Sequence, residues 1–128
     1  MPTKVSKVVE RALRHLKVVA AGQSVSAADM ADGVEALNDM LAAMSETLDF
    51  EHTTLKATDD FPHPDSLLQG TGYLLAVQLT DTFNQPLTLT IAKKADQGSA
   101  LFASKYFSLP NTSHDATLTS MIAHRRYF

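Results

Sequence analysis

Six apolar residues, Met30, Val34, Leu37, Leu41, Met44 and Leu48, recur at alternating spacings of four and three. That alternation places them along one side of an α-helix, because residues three and four apart share a face of a 3.6-residue turn. A strand would alternate every second residue instead. Ser26 followed by Asp29 resembles a capping box, with Asp in place of the usual Glu. The pattern predicts a helix over residues 27–49, about 34 Å long at 1.5 Å per residue. Asp29, Asp32, Glu35, Asp39 and Glu46 fall opposite the seam. A purely acidic face gains no i, i+4 ion pairs within its own helix. Water, a basic partner face or a need to repel anions must make it tolerable.

Three further helices are predicted around this one. Val5, Val8, Val9, Ala12, Leu13 and Leu16 mark a first helix over residues 4–20, with Thr3 as a cap and Gly22 where the helix stops. Lys4, Lys7, Arg11 and Arg14 follow the same period on another face and form a basic stripe; a solvated face is the ordinary reading of such a stripe. Residues 50–66 break the pattern: threonines, Asp59-Asp60 and the Pro62-His63-Pro64 unit predict irregular chain, either a short hairpin or an exposed loop. A third helix starts near Asp65 or Ser66, is strongest over residues 73–84, and is weakened early by Gly70 and Gly72. Pro86 ends it. Thr88 or Thr90 caps a fourth helix to about Phe107, with Ile91, Ala92, Ala95, Leu101, Phe102 and Tyr106 on its buried side. Ala92, Ala95, Gly98 and Ser99 are small enough to let a neighbour approach closely. The expected fold class is all-α: a small four-helix bundle over residues 1–107, with an irregular loop near 50–65 and an extended C-terminal arm over 108–128. The arm ends in Arg125-Arg126-Tyr127-Phe128, residue types enriched at protein interfaces, though a frayed terminus has the same look.

The formal charge of −3 conceals a segregation along the chain. Residues 1–17 carry five cations against Glu10, a net +4, while residues 18–55 carry seven carboxylates and no Lys or Arg, a net −7. Residues 56–128 carry six of each sign. The acidic balance argues against a dedicated nucleic-acid binder. No apolar run is long enough for a membrane span, and the charges among the first 17 residues do not suit a signal peptide. The absence of cysteine excludes disulfides and thiolate metal sites and suits a reducing cytoplasm.

Catalytic signatures are missing from the sequence. None of His15, His52, His63, His114 and His124 pairs with another at i, i+4, and no HExxH, P-loop or GxSxG pattern occurs. Gly70-Thr71-Gly72 lacks the further glycine of a phosphate loop. His52 and His63 flank Asp59-Asp60, a set more often found as loop residues than as a metal site. The expectation is a protein that is not an enzyme, with no catalytic residue, cofactor or metal.

Three stretches, in order, resemble the podovirus head-to-tail adaptor family, also called tail accessory factors or packaged-DNA stabilisation proteins. Val8-Val9-Glu10-Arg11-Ala12-Leu13-Arg14-His15-Leu16-Lys17-Val18 looks like the family's opening helix and turn. Ser26-Ala27-Ala28-Asp29, leading to Glu35-Ala36-Leu37-Asn38-Asp39-Met40-Leu41, is similar to its "LN-x-ML" helix. Tyr73-Leu74-Leu75-Ala76-Val77-Gln78-Leu79 and Phe83-Asn84-Gln85-Pro86-Leu87-Thr88, with Ile91-Ala92, look like the junction of its last two helices. Ala43-Met44-Ser45 stands where the family often has an aromatic residue.

The resemblance implies a structural subunit of the virion neck, present in the host cytoplasm during assembly. Family members form a homo-oligomeric ring, typically twelve-fold, beneath the portal protein. The ring extends the DNA channel, retains packaged DNA and carries the next tail component, a nozzle or tail hub. DNA passes through the lumen without sequence-specific binding. The subunit-interface residues are expected to be Lys4, Lys7, Arg11 and Arg14 of the basic stripe against Asp32, Glu35, Asp39 and Glu46 of a neighbour. In a rival arrangement the acidic face lines the lumen and keeps phosphates mobile. Portal binding falls to Arg125, Arg126, Tyr127 and Phe128, since the family's arm reaches the portal. The alternative function is a small helical DNA-binding regulator that uses the basic face of the first helix, although no helix-turn-helix is recognisable.

Overall fold

In a computed structural model, which describes residues 3–20 and 22–107, the chain is all-α, with four helices and no strand among those residues. They are α1 (Val5–His15), α2 (Ala27–Ser45), α3 (Leu68–Leu79) and α4 (Leu89–Lys105); a 3₁₀ turn, Asp65–Leu67, leads into α3. The expected arm over residues 108–128, including Arg125, Arg126, Tyr127 and Phe128, lies outside the described residues.

The core is built where α1, α2 and α3 meet. Val5, Val8, Val9, Ala12 and Leu13 of α1 are fully buried, as are Leu37 and Leu41 of α2 and Leu75, Ala76 and Leu79 of α3. Burying each large aliphatic side chain contributes about 1.5–3 kcal/mol, so this cluster dominates the hydrophobic drive to fold. Packing between α1 and α2 is close because Gly33 lies against Val9, where any side chain would collide with the valine methyl. α4 lies along α3. It buries a narrow stripe, Ile91, Ala95, Gly98 and Phe102, at spacings of four and three. Close approach depends on Gly70 and Gly98, which meet backbone to backbone.

The helices are shorter than their apolar patterns predict. α1 stops at His15 rather than Ala20, because Lys17 adopts a left-handed conformation with φ 62°. The Lys17 amide then donates to the Arg14 carbonyl and the Val18 amide to the Leu13 carbonyl, each at 3.0 Å. This is a Schellman motif with lysine at the position glycine usually takes. α2 stops at Ser45 rather than Asp49. The helical chain of the third element starts at Asp65, as expected, but as a 3₁₀ turn that becomes α3 only at Leu68; α3 ends at Leu79, five residues before Asn84, which takes another left-handed turn at φ 50°. The predicted caps of α2 and α4 are formed: Ser26 Oγ accepts from the Asp29 amide and Thr88 Oγ1 from the Ile91 amide, each at 3.2 Å. Thr3 does not cap α1. The irregular loop does so instead, as the Asp59 and Ala57 carbonyls accept from the Val5 and Ser6 amides at 2.9 and 3.0 Å.

Residues 50–64 are irregular, as expected, but they form neither a hairpin nor a merely exposed loop. Among the described residues their only ladder contact is a single antiparallel bridge between Lys4 and Asp60, and Leu55, Phe61 and His63 are buried. Leu101, expected on the buried side of α4, is 49 % exposed, and Ala92 is half-buried. Both lie beside the narrow stripe that α3 covers.

Candidate functional site

No group of three or more metal-ligating side chains converges among the described residues, and no helix there is long and apolar enough to cross a membrane. What the fold displays is two charged faces and an apolar groove. Lys4, immediately before α1, and Lys7, Arg11 and Arg14 on it are all exposed, because the core takes the opposite side of the helix. Lys4 pairs with Asp60 at 2.8 Å and Lys7 with Glu10 at 3.4 Å. On α2, Asp32, Glu35, Asp39 and Glu46 are exposed; the first three surround a shallow hollow of about 200 Å³ that reaches Thr82. Among the described residues, these four carboxylates and the Arg11 and Arg14 guanidiniums form no ion pair with one another or with other groups. The stripes predicted from the sequence are therefore real faces, and among the described residues the fold does not join them.

The groove runs between the first half of α2 and residues 54–57. Its floor is Ala27, Met30, Ala31 and Val34, with Glu35 and Asp39 on one lip, and its volume is about 710 Å³. The apolar seam of α2 is thus divided. Leu37 and Leu41 enter the core, whereas Met30 and Val34 are only half-buried and face the groove.

Asn38 fixes the far wall. Its Oδ1 accepts from the Leu55 amide at 2.8 Å, while its Nδ2 donates to the Leu55 carbonyl at 3.0 Å and to the Val34 carbonyl at 3.1 Å. His52 Nε2 lies 3.0 Å from the same Oδ1. One amide side chain so imitates a strand partner for Leu55 and holds the loop against α2. Asn38 sits at the polar position of the Leu37-Asn38 pair within the "LN-x-ML" pattern. Sequence reasoning quoted it but assigned it no role, since its partner is 17 positions away.

His63 is the other residue whose place the sequence does not reveal. It is 8 % exposed and ringed by Phe50, Phe61, Phe102 and Tyr106, with ring centroids 4.9–5.3 Å away. Nδ1 lies 2.7 Å from the Tyr106 hydroxyl, and Nε2 is buried with no partner. Burial, and secondarily the nearby His52, pushes its pKa down to about 4. An imidazolium here would have two N–H groups and one acceptor. His63 is therefore a neutral packing element that ties the loop to the end of α4. His15 stacks on Tyr73 at 3.9 Å, and burial followed by the Arg11 charge lowers its pKa. Among the described residues, neither histidine belongs to a group of three or more side chains that could hold a metal.

No protein-family model matches the chain, and no curated protein matches it.

Proposed function

We propose that the chain is a structural head-to-tail adaptor of a tailed phage, a subunit that joins copies of itself into a ring beneath the portal. The observation that carries this reading is the pair of opposite charged faces, Arg11 and Arg14 on α1 and Asp32, Glu35, Asp39 and Glu46 on α2, none with an ionic partner among the described residues. Isolated exposed ion pairs add little stability, so such faces contribute nothing obvious to a lone subunit. In a closed ring each copy offers two different surfaces, and opposite charge sets which surface meets which. The compact all-α body suits a repeated building block. Its expected partners are the portal, through residues 125–128, and a downstream tail component.

The test is a charge swap. Arg11→Glu with Arg14→Glu should abolish assembly or make it strongly salt-sensitive, and adding Glu35→Arg with Asp39→Arg should restore it. Intact rings from the α1 double variant would instead assign the acidic face to the channel lumen. The exposed arginines of α1 also fit a second reading, a small DNA-binding regulator. Strong, salt-sensitive duplex binding in a gel-shift assay would favour that reading over the adaptor.

A further inference from the structure

We propose that residues 116–128 of the chain fold back into the groove between α2 and residues 54–57. The groove floor of Ala27, Met30, Ala31 and Val34 leaves apolar surface uncovered among the described residues, and Asn38 holds its far wall in place from beneath. The occupant is identified by three features. Its side chains fit: Leu118, Met121 and Ile122 stand at i, i+3 and i+4, the spacing of an apolar strip one to two helical turns long. Its charge fits: Arg125 and Arg126 follow that strip, and Glu35 and Asp39 occupy one lip of the groove without ionic partners among the described residues.

Its reach also fits. The Asp49 amide donates to the Tyr106 carbonyl at 2.9 Å, so α4 ends against the residues that follow α2. From Ser45 back to Ala31, in the middle of the groove floor, is about 21 Å at the rise of an α-helix. Residues 108–117 can span up to about 33 Å when extended, so the segment arrives with slack. The docking does not rest on the adaptor reading; in an assembled particle the segment would leave the groove, which frees Glu35 and Asp39 for a neighbour's arginines and residues 125–128 for the portal.

The chain has no cysteine, so introduced pairs report proximity directly. Full-length Ala31→Cys/Ile122→Cys is compared with Lys93→Cys/Ile122→Cys, whose first cysteine sits on the exposed side of α4. Both are exposed to mild oxidant and read by mass spectrometry and non-reducing gel. The expected result is an intrachain disulfide that forms roughly tenfold faster or more in the groove pair, because docking raises the local concentration of the two thiols. Adding Val34→Asp should return the rate to that of the control pair. Adding Arg125→Glu and Arg126→Glu, two positions outside the described residues, should slow it as well. Equal rates for the two pairs, or disulfides mainly between chains, would overturn the proposal.

Discussion

Gly70 and Gly98 meet where α3 packs on α4, so closely that a Cβ added at Gly70 would stand 2.6 Å from the Cα of Gly98. The reverse addition would meet the Gly70 Cα at 2.6 Å and its carbonyl oxygen at 2.8 Å. Both obstacles are backbone, which no rotamer change can remove. Gly72, two residues along, differs: a Cβ there meets Arg11 and His15 at ordinary contact distances of 3.6–3.8 Å. Gly70→Ala and Gly98→Ala should therefore each destabilise the protein by roughly 1–3 kcal/mol, as overpacking does. Gly72→Ala should be neutral or stabilising by up to about 1 kcal/mol, the gain in helix propensity. Urea denaturation followed by circular dichroism checks this, and equal stability of the Gly70 and Gly72 variants would refute the close crossing.

Asn38 to Leu55 is the join that holds the irregular loop. Asn38→Ala removes the partners of the Leu55 amide and carbonyl together. A buried polar group left unpaired costs about 1–3 kcal/mol, so a loss of roughly 2 kcal/mol is expected. The Leu55 amide should exchange with solvent far faster, while amides in the middle of α3 change only in line with the global loss. Unchanged Leu55 protection would contradict the assigned role.

His63 gives stability a direction with pH. Its pKa is lowered from 6.5 to about 4 in the folded chain, chiefly by burial. Between those values the unfolded chain takes up a proton that the folded chain refuses, so stability is full above about pH 6.5 and falls as the pH drops towards 4. The loss attributable to His63 is at most about 3 kcal/mol. His15 and His52, also shifted down mainly by burial, add smaller slopes of the same sign. His63→Phe should remove most of the slope in a series of denaturation curves from pH 7 to 4. A slope retained in full would place the effect elsewhere.

Lys17 holds a left-handed turn at φ 62°. A residue with a Cβ pays about 1 kcal/mol or more there, and glycine does not. Lys17→Gly should raise stability by roughly 0.5–1 kcal/mol, and Lys17→Val should lower it. Thermal melts of the two variants report both signs.

What the sequence makes legible is local. The Ser26 side chain and, of the two candidates Thr88 and Thr90, Thr88 are caps within one helical turn, each accepting an amide three residues on. The seam of α2 and the core stripe of α1 follow from periodicity in the same way. Helix ends are less legible where an uncommon residue takes the turning conformation. Lys17 carries no sequence signal for it, so the α1 pattern reads on to Ala20. Gly70 reads as a weak point of its helix until Gly98 is seen against it. Leu101 reads as buried because periodicity does not say how narrow a neighbour's contact is. Asn38 with Leu55, and His63 with Tyr106, are contacts over 17 and 43 positions, beyond any local pattern. The charged faces were visible as stripes. The groove was not, since Met30 and Val34 have the same period as the core residues Leu37 and Leu41.

We propose that these faces serve a ring seated on a portal. The direct measurement is to mix the purified chain with portal rings encoded in the same genome and image the mixture by electron microscopy. The expected result is an added ring of density beneath each portal, missing when Arg11→Glu/Arg14→Glu replaces the parent chain. Portal rings that stay bare at saturating concentrations of folded protein would contradict it.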